Sequence, residues 1–584
     1  MRTLFKKITV LLGVGLSLLT STAYSHSHSH SHSHSTSSSS CDNTSTFLIY
    51  VNEKAHHGGN GTSWEKAFKN LQEALDVAVF RNENNLGPTE IWVAQGTYKP
   101  TRTYPENPDL GKTATFLIPA NTSIYGGYKG HGCNPNKRNF EKYETILDGD
   151  LNNNGLGPDD RIGPNFPLEL PQSYLDQVAF NSCHVVSIYS APNTLLDGLT
   201  IANGFAGPDP DVLFARRGGG VFCFDSNGIF RNLRLYNNCA YDATGNETSR
   251  GGALFFRLPL DASPKSCDLD NVWMDHSYTN GDASAYNITN AIAKVNGVTV
   301  TNSQGVGSTS LMVVGPADNN AFDISNCHYE DNFVCCGCAS IAFNVANPLS
   351  TVIVQKSKFI HNVSNGNCGS LDIFSTIEVP SSTFLIKCNI FERNEANSVG
   401  GYDPLSAVSC GAICDYGISS RVENNKFIRN KGATCGAICI IDYDLNNQPV
   451  FTHTTLLQNE FIENTTIDQG FEVSGGAHLI GQSTFGDIID NTFIKNQSVR
   501  NGGGITVENS TANILNNKFC GNIAAGLGSQ IYVLNSTVNT NLIKVNCFKK
   551  FDDNSVVINN TNFSKFVNNR TTKGKTRTYN IGIK

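Results

Sequence analysis

The sequence predicts an all-β chain folded as a single-stranded parallel β-helix, a solenoid with a short N-terminal capping helix. Three observations predict it. First, an aromatic residue followed by Asn three positions on recurs as Tyr329 with Asn332, Phe359 with Asn362, Phe391 with Asn394 and Phe427 with Asn430. It continues as Phe461 with Asn464, Phe493 with Asn496 and Phe519 with Asn522. Second, Ile201, Leu235, Met274 and Val300 hold the same apolar position earlier, and successive gaps from Ile201 to Phe519 are 34, 39, 26, 29, 30, 32, 36, 34, 32 and 26 residues. Such lengths fit one coil of three short strands and three turns, with the variation absorbed in loops. Third, a small-residue turn follows the copies, as in Gly218-Gly219-Gly220, Gly251-Gly252-Ala253, Cys410-Gly411-Ala412, Cys435-Gly436-Ala437, Gly475-Gly476-Ala477 and Gly502-Gly503-Gly504. Small residues there permit a sharp turn and close backbone approach before the next strand.

Taken from its first residue, the 584-residue chain opens on an export signature. Arg2, Lys6 and Lys7 precede the apolar run from Ile8 to Leu19, and Ala23-Tyr24-Ser25 offers a cleavage site, so residues 1–25 read as a signal peptide. The run is too short for a spanning helix, which needs about 20 residues, and no later stretch is longer, so no transmembrane segment is expected. Residues 26–46 form a His/Ser-rich linker in which His26, His28, His30, His32 and His34 alternate with serine. Imidazoles in this pattern can bind zinc, nickel or copper, but a tract with nothing to bury has no fixed geometry, which favours a spacer.

The folded part begins with the strand Phe47 to Val51. Thr62 or Ser63 is placed to cap a helix from Trp64 to about Phe80, whose positions Ala67, Phe68, Leu71, Ala74, Leu75, Ala78 and Val79 follow helical spacing. Cap and first coils occupy 47–160, the repeats 161–565, and 566–584 is a basic tail. The aligned asparagines and the aromatic column read as architecture: asparagines at one register bond along the stack and satisfy turn amides.

Two sets of motifs carry a resemblance. GTSWEKAFKNLQEALDVA, EIWVAQGTYKPT, FLIPANTSIYGGYKG and ETILDGD, in this order across residues 47 to 155, resemble the opening of secreted bacterial right-handed parallel β-helix (pectin-lyase-like) proteins. In those proteins the helix closes the end of the solenoid, so the resemblance implies a right-handed helix capped in the same way. The GGAI and FxxN repeats resemble the passenger repeats of the chlamydial polymorphic membrane proteins, which are β-helices at the cell surface. That family ends in an outer-membrane barrel. Here the repeats run to Phe519 and beyond with only a short tail after them, so the expectation is a relation to the passenger repeats alone.

The sharpest acidic cluster is Asp148, Asp150, Asn152 and Asn154 with Asp159 and Asp160 beyond. Alternating Asp and Asn can wrap oxygens around Ca²⁺, although glycine and glutamate do not fall at EF-hand positions. A polar connection between cap and first coil is the equal alternative. No cofactor is otherwise required. Enzymes on this architecture need paired carboxylates, or acids with a basic residue, on one face of consecutive coils. Asp268, Asp270, Asp275 and Asp282 with His276 form the best such cluster, yet the acids do not recur at one register.

Eighteen cysteines suit an exported chain. Aligned on the aromatic position, the first residue of the small turn is Cys336, Cys368, Cys410 and Cys435 in successive coils, and Cys414 and Cys439 follow two of these four residues later. Equivalent Cα atoms of adjacent coils lie ~4.8 Å apart, within disulfide range, which predicts the pairs Cys336 with Cys368, Cys410 with Cys435, and Cys414 with Cys439. A buried column of free thiols and, last, a metal site are the alternatives.

A balance of 43 basic against 50 acidic residues, net −7, excludes a broadly basic nucleic-acid binder. The reading is an exported monomer, secreted or at the cell surface, that binds a host-cell or extracellular glycan or protein as an adhesin-like or structural element. The alternative is a polysaccharide lyase or glycoside hydrolase on the same fold.

Overall fold

Each coil of the solenoid lays its chain along four walls in turn. The computed structural model describes residues 46–577 apart from 57–58, 105–110, 156–169, 171, 208–214, 245–248, 260–261, 263–264, 315–320, 346–349, 398–408, 442–451, 468–474, 482–483, 541–543, 546–555, 560–569 and 573–574. In one coil the first and second walls are the bent strand Ile413–Glu423, the third is Lys426–Ile428 and the fourth Lys431–Gly432. In the next coil the same walls are Ile438–Ile441, His453–Leu457, Glu460–Ile462 and Thr465–Thr466. Every wall pairs parallel and in register with the coil above, as Phe427 does with Phe461 and Lys431 with Thr465. The first three walls join into one 39-stranded sheet and the fourth forms an 11-stranded sheet. The chain is therefore a parallel β-helix, as the repeat spacing predicts, but each coil carries four strands rather than the three expected, because the fourth wall is a separate two-residue strand.

The third wall shows how the repeat works. Lys426 and Ile428 face outward and Phe427 faces the core, as strand alternation requires. Tyr329, Phe359, Phe391, Phe427, Phe461, Phe493 and Phe519 are each fully buried. From Phe359 onward adjacent rings stack at 4.8 to 4.9 Å between centroids and within 8° of parallel. Beside them runs the Asn ladder. Asn430 Nδ2 donates to Asn464 Oδ1 at 3.0 Å and to the Phe391 carbonyl at 2.9 Å, and Asn430 N donates to the same Asn464 oxygen at 3.0 Å. From Asn362 to Asn522 each amide oxygen accepts two hydrogen bonds from the coil before it.

A second ladder stands at the corner between second and third walls. It runs Asn389, Asn425, Asn459, Asn491, Asn517, with side-chain to side-chain distances of 3.0 to 3.1 Å. The residue before each rung is left-handed at both corners, for example Asn424 at φ 58°, Gln458 at 55°, Arg429 at 55° and Glu463 at 55°. Such conformers cost side-chain-bearing residues about 1–2 kcal/mol each, which the repeated ladder bonds offset. The small turn is also a packing necessity: a Cβ on Gly436 would fall inside contact distance of the Gly476 carbonyl in the next coil.

At the N-terminal end the helix is shorter than predicted. Ser63 does cap, but caps only the 3-10 turn Trp64–Lys66, and the α-helix is Leu71–Glu83 with Asn70 as its cap. The reason is Phe68, whose backbone is held along the first strand: Phe68 N donates to the Tyr50 carbonyl at 2.9 Å, and Asn52 N donates to the Phe68 carbonyl at 2.8 Å. That extended stretch cannot also be helical. Asn70 accepts from Gln72 N at 2.9 Å while Glu73 reaches back to Asn70 N at 3.2 Å, a reciprocal cap. Leu71, Ala74, Leu75 and Ala78 then seal the end of the core. Among the described residues no helix is long and apolar enough to cross a membrane.

Candidate functional site

Third-wall strands of the early coils turn different chemistry outward. Leu147, Ile201, Leu235 and Met274 fill the core there. Their flanking residues face out in two columns: Ile146, Thr200, Arg234 and Trp273 in one, and Asp148, Ala202, Tyr236 and Asp275 in the other. Together with Thr97, Glu144 and Asn203, the members from Ile146 to Tyr236 line a cleft of about 410 Å³.

Its lining holds the carboxylates of Glu144 and Asp148 and the Tyr236 ring, and Trp273 stands beside it in the next coil. The Arg234 guanidinium lies 4.3 Å over the Trp273 ring and 5.3 Å from the Tyr236 ring. Trp273 is 38% exposed and anchored by its indole N–H, which donates to Thr301 Oγ1 at 3.1 Å. Arg234 Nε is buried and has no acceptor among the described residues. Thr200 Oγ1 donates to Glu144 at 2.8 Å. Asp148 is held by Lys99 at 3.1 Å and accepts from Asn203 Nδ2 at 2.9 Å.

The acidic turn after this strand is tied to the protein itself. Asp148 accepts from Asp150 N at 3.1 Å, and Asp150 accepts from Asn154 N at 3.2 Å and Gly155 N at 3.1 Å. Lys99 Nζ also donates to the Asp150 carbonyl. Asn152 is exposed, Asn154 Nδ2 donates to Gln177 O at 2.8 Å, and Asp159 and Asp160 lie outside the described residues. Among the described residues no three His, Cys, Asp or Glu side chains converge as cation ligands. The Lys99 ammonium places a positive charge 3.1 Å from Asp148. We expect EDTA to leave the melting temperature unchanged and Lys99→Met to lower it, with thermal unfolding as the readout. Loss of stability in EDTA would instead place a cation in this turn.

Asp268, Asp270, Asp275, Asp282 and His276 are not brought together. Asp268 and Asp270 face outward from the second wall, where Asp270 lies 3.6 Å from Arg231 and burial pushes the Asp268 carboxyl up against the pull of Lys294. Asp275 ends a third-wall strand, bonded to Thr301 at 2.7 Å, Asn302 at 3.0 Å and His276 at 3.0 Å. Asp282 pairs with Arg250 at 3.5 Å beside the small turn. Only Asp275 and His276 border the cleft region, where His276 meets the Tyr236 ring edge-on at 5.7 Å. Glu144, Arg234, Tyr236 and Trp273 escape a reading of the sequence that follows inward positions only. The signal was available, because Arg234 and Trp273 immediately precede the register residues Leu235 and Met274. The histidines from His26 to His34 lie outside the described residues.

The cysteine register needs correction at one position. Cys338, not Cys336, stands above Cys368, and the column runs Cys338, Cys368, Cys410, Cys435. Cys336 instead bonds to its neighbour Cys335. What the turn conserves is the distance to the next core residue: Ile341, Leu371, Ile413 and Ile438 each follow three residues after the column cysteine. Cys410 and Cys435 are one coil apart and Cys414 pairs in register with Cys439, but all of them, with Cys338 and Cys368, are buried thiols. The predicted in-register bridges are absent for a geometric reason. Equivalent residues have parallel Cα–Cβ bonds, so their Cβ atoms stay about 4.8 Å apart, beyond the ~3.5–4.5 Å that a disulfide spans.

No family model matches the chain, and no curated protein does. Solved structures similar to it include the following three. Tailspike protein 3 of bacteriophage CBA120 is 11% identical with a TM-score of 0.29, covering 89% of this chain and 62% of its own. The GH136 lacto-N-biosidase of Eubacterium ramulus is 10% identical at TM-score 0.28, covering 85% of this chain and 67% of its own. DFA-IIIase of Arthrobacter chlorophenolicus A6, solved with GF2, is 13% identical at 0.26, covering 77% and 94%. The chain thus spans less than two thirds of the tailspike it matches.

Proposed function

We propose that this chain is an exported β-helix that binds glycan in the third-wall cleft, at the cell surface or after release, without cleaving it. The observation that carries the reading is the Arg234 guanidinium lying 4.3 Å over the exposed Trp273 ring, beside a cleft that also holds Thr97, Thr200 and Asn203. A half-exposed indole offers a flat apolar face to a sugar ring, and the arginine, Thr97, Thr200 and Asn203 offer hydrogen-bonding groups to its hydroxyls.

Glu144 and Asp148 in the same cleft are the one observation that favours a carbohydrate-active enzyme. Glycoside hydrolysis asks for two carboxyl groups free to act on the scissile bond, roughly 5 to 9.5 Å apart. Here each is engaged by its own partner, Glu144 by Thr200 and Asp148 by Lys99. The test is incubation with a panel of neutral and acidic polysaccharides, with and without Ca²⁺, assayed for new reducing ends and unsaturated uronides. Retention of a glycan with no product is expected; turnover abolished by Glu144→Gln would overturn the non-catalytic reading.

A further inference from the structure

The first wall of the early coils gathers arginines on its outer side. Phe255 and Arg257 face outward from the strand Leu254–Arg257, whose Leu254 and Phe256 fill the core. Arg250 precedes that strand at the small turn and stands in register with Arg217 of the coil before it. The Arg217 guanidinium lies 5.4 Å from the centre of the Phe255 ring, so it reaches one coil forward over the strand that carries Arg257. Arg216 is its neighbour in the chain. Among the described residues two aspartates answer these four cations: Asp242 lies 3.3 Å from Arg216, and Asp282 lies 3.5 Å from Arg250. Asp225, on the coil before Arg257, is paired with Lys265 at 2.8 Å. Arg257 forms no ion pair among the described residues, and its buried Nε has no acceptor there. Burial, and then the charges of Arg250, Arg257 and Arg216, push the Arg217 guanidinium down to about 10. The patch is still open to solvent, with side-chain exposures of 32% for Arg216 and 29% for Arg250. Beside it the half-exposed Tyr189 and Phe224 rings stack at 5.5 Å, and Phe224 is in register with Arg257.

We propose that this outer face of the first wall is a second binding site, which takes the carboxylate or sulfate groups of an acidic glycan between Arg217, Arg250 and Arg257. An anion placed among guanidiniums that outnumber their carboxylate partners relieves their mutual repulsion. The planar guanidinium fork matches the paired oxygens of a carboxylate or sulfate, which a lysine ammonium does not. Tyr189 and Phe224 offer an apolar face to the sugar ring that carries the anion. The net charge of the chain, −7, gives no general attraction for polyanions, so binding here depends on the local excess of positive charge. This site lies on a different wall from the third-wall cleft and does not rest on the reading of that cleft.

The experiment is retention of the full chain on immobilised dextran sulfate, polygalacturonate and neutral dextran across a salt gradient. Wild type is compared with Arg257→Gln, Arg250→Gln and Lys358→Gln, the last removing an exposed cation from the third wall of a distant coil. Wild type and Lys358→Gln should be held by dextran sulfate, polygalacturonate or both, should elute as salt rises, and should pass through dextran. Which polymer holds them separates sulfate from carboxylate as the group recognised. Arg257→Gln and Arg250→Gln should each bind about tenfold more weakly, the loss of one charge-assisted hydrogen bond. Equal retention of all four proteins, equal weakening by Lys358→Gln, or no retention of the wild type on either acidic polymer would each overturn the proposal. If an arginine variant fails to fold, the wild-type melting temperature decides: it should rise with soluble dextran sulfate or polygalacturonate and not with dextran, and an unchanged value would overturn the site.

Discussion

Phe427→Ala is expected to cost about 3–5 kcal/mol of stability, among the largest effects of any single substitution in this chain. Phe427 is fully buried between Phe391 and Phe461, with ring centroids at 4.9 and 4.8 Å. Truncation removes the burial of a large aromatic side chain and two stacking contacts at once, and neighbours locked in the ladder cannot collapse into the space. A solenoid coil touches only the coils on either side, so the loss should be local. Hydrogen exchange should deprotect the strands from Phe391 to Ile462 while the capping helix stays protected. Phe427→Leu, which keeps much of the volume, should cost far less. Denaturant unfolding measures both, and an alanine variant within about 1 kcal/mol of the parent would contradict the stacked-core account.

His478 sets the second large effect, in the opposite direction. It occupies a core position in register with Ile438 and Ile505 and is fully buried, and among the described residues neither ring nitrogen has a hydrogen-bond partner. Burial pushes its pKa down from 6.5 to about 3. Between these values the unfolded chain binds a proton that the folded chain refuses. This group's contribution to stability is therefore intact above about pH 6.5 and is lost as pH falls toward 3. At pH 4.5, about two units below the unfolded value, the loss is about 3 kcal/mol. His478→Ile should be more stable than the parent at neutral pH, because two buried polar atoms disappear. Its advantage should widen by that amount on going from pH 7.5 to pH 4.5, since the two proteins share every other titrating group. A constant difference across that range would show that His478 is solvated or partnered.

The inward half of this protein was legible in its sequence. Core positions repeat the same chemistry, so Phe359 through Phe519 announce both the coil length and the register. The first Asn ladder follows from them at a fixed offset. The outward half was not legible in the same way. Outward residues share no chemistry from coil to coil, and Arg234 and Trp273 become neighbours only once the register is applied to the residues beside it. The acids around His276 mislead for the converse reason. Residues a few positions apart in one coil face different walls, as Asp270 and Asp275 do, whereas residues one coil apart touch. The helix start was missed because Phe68 fits a helical pattern but is claimed by the strand beside it. The cysteine register slipped at Cys336 because a cysteine before a glycine imitates the turn, while the three-residue spacing to Ile341 marks its true position.

The claim that matters most is that the third-wall cleft binds glycan. The direct measurement is binding of labelled full-length protein to a glycan array, wild type against Trp273→Ala, with Ile494→Ala on the outer face of a distant coil of the same wall as control. Trp273 is partly exposed and its ring packs on Arg234, so its removal should leave the circular dichroism spectrum and melting temperature nearly unchanged. The account predicts a defined set of bound glycans for wild type and Ile494→Ala, and at least a tenfold weaker signal for Trp273→Ala. Equal binding by all three proteins, or none by the wild type to any glycan, would contradict it.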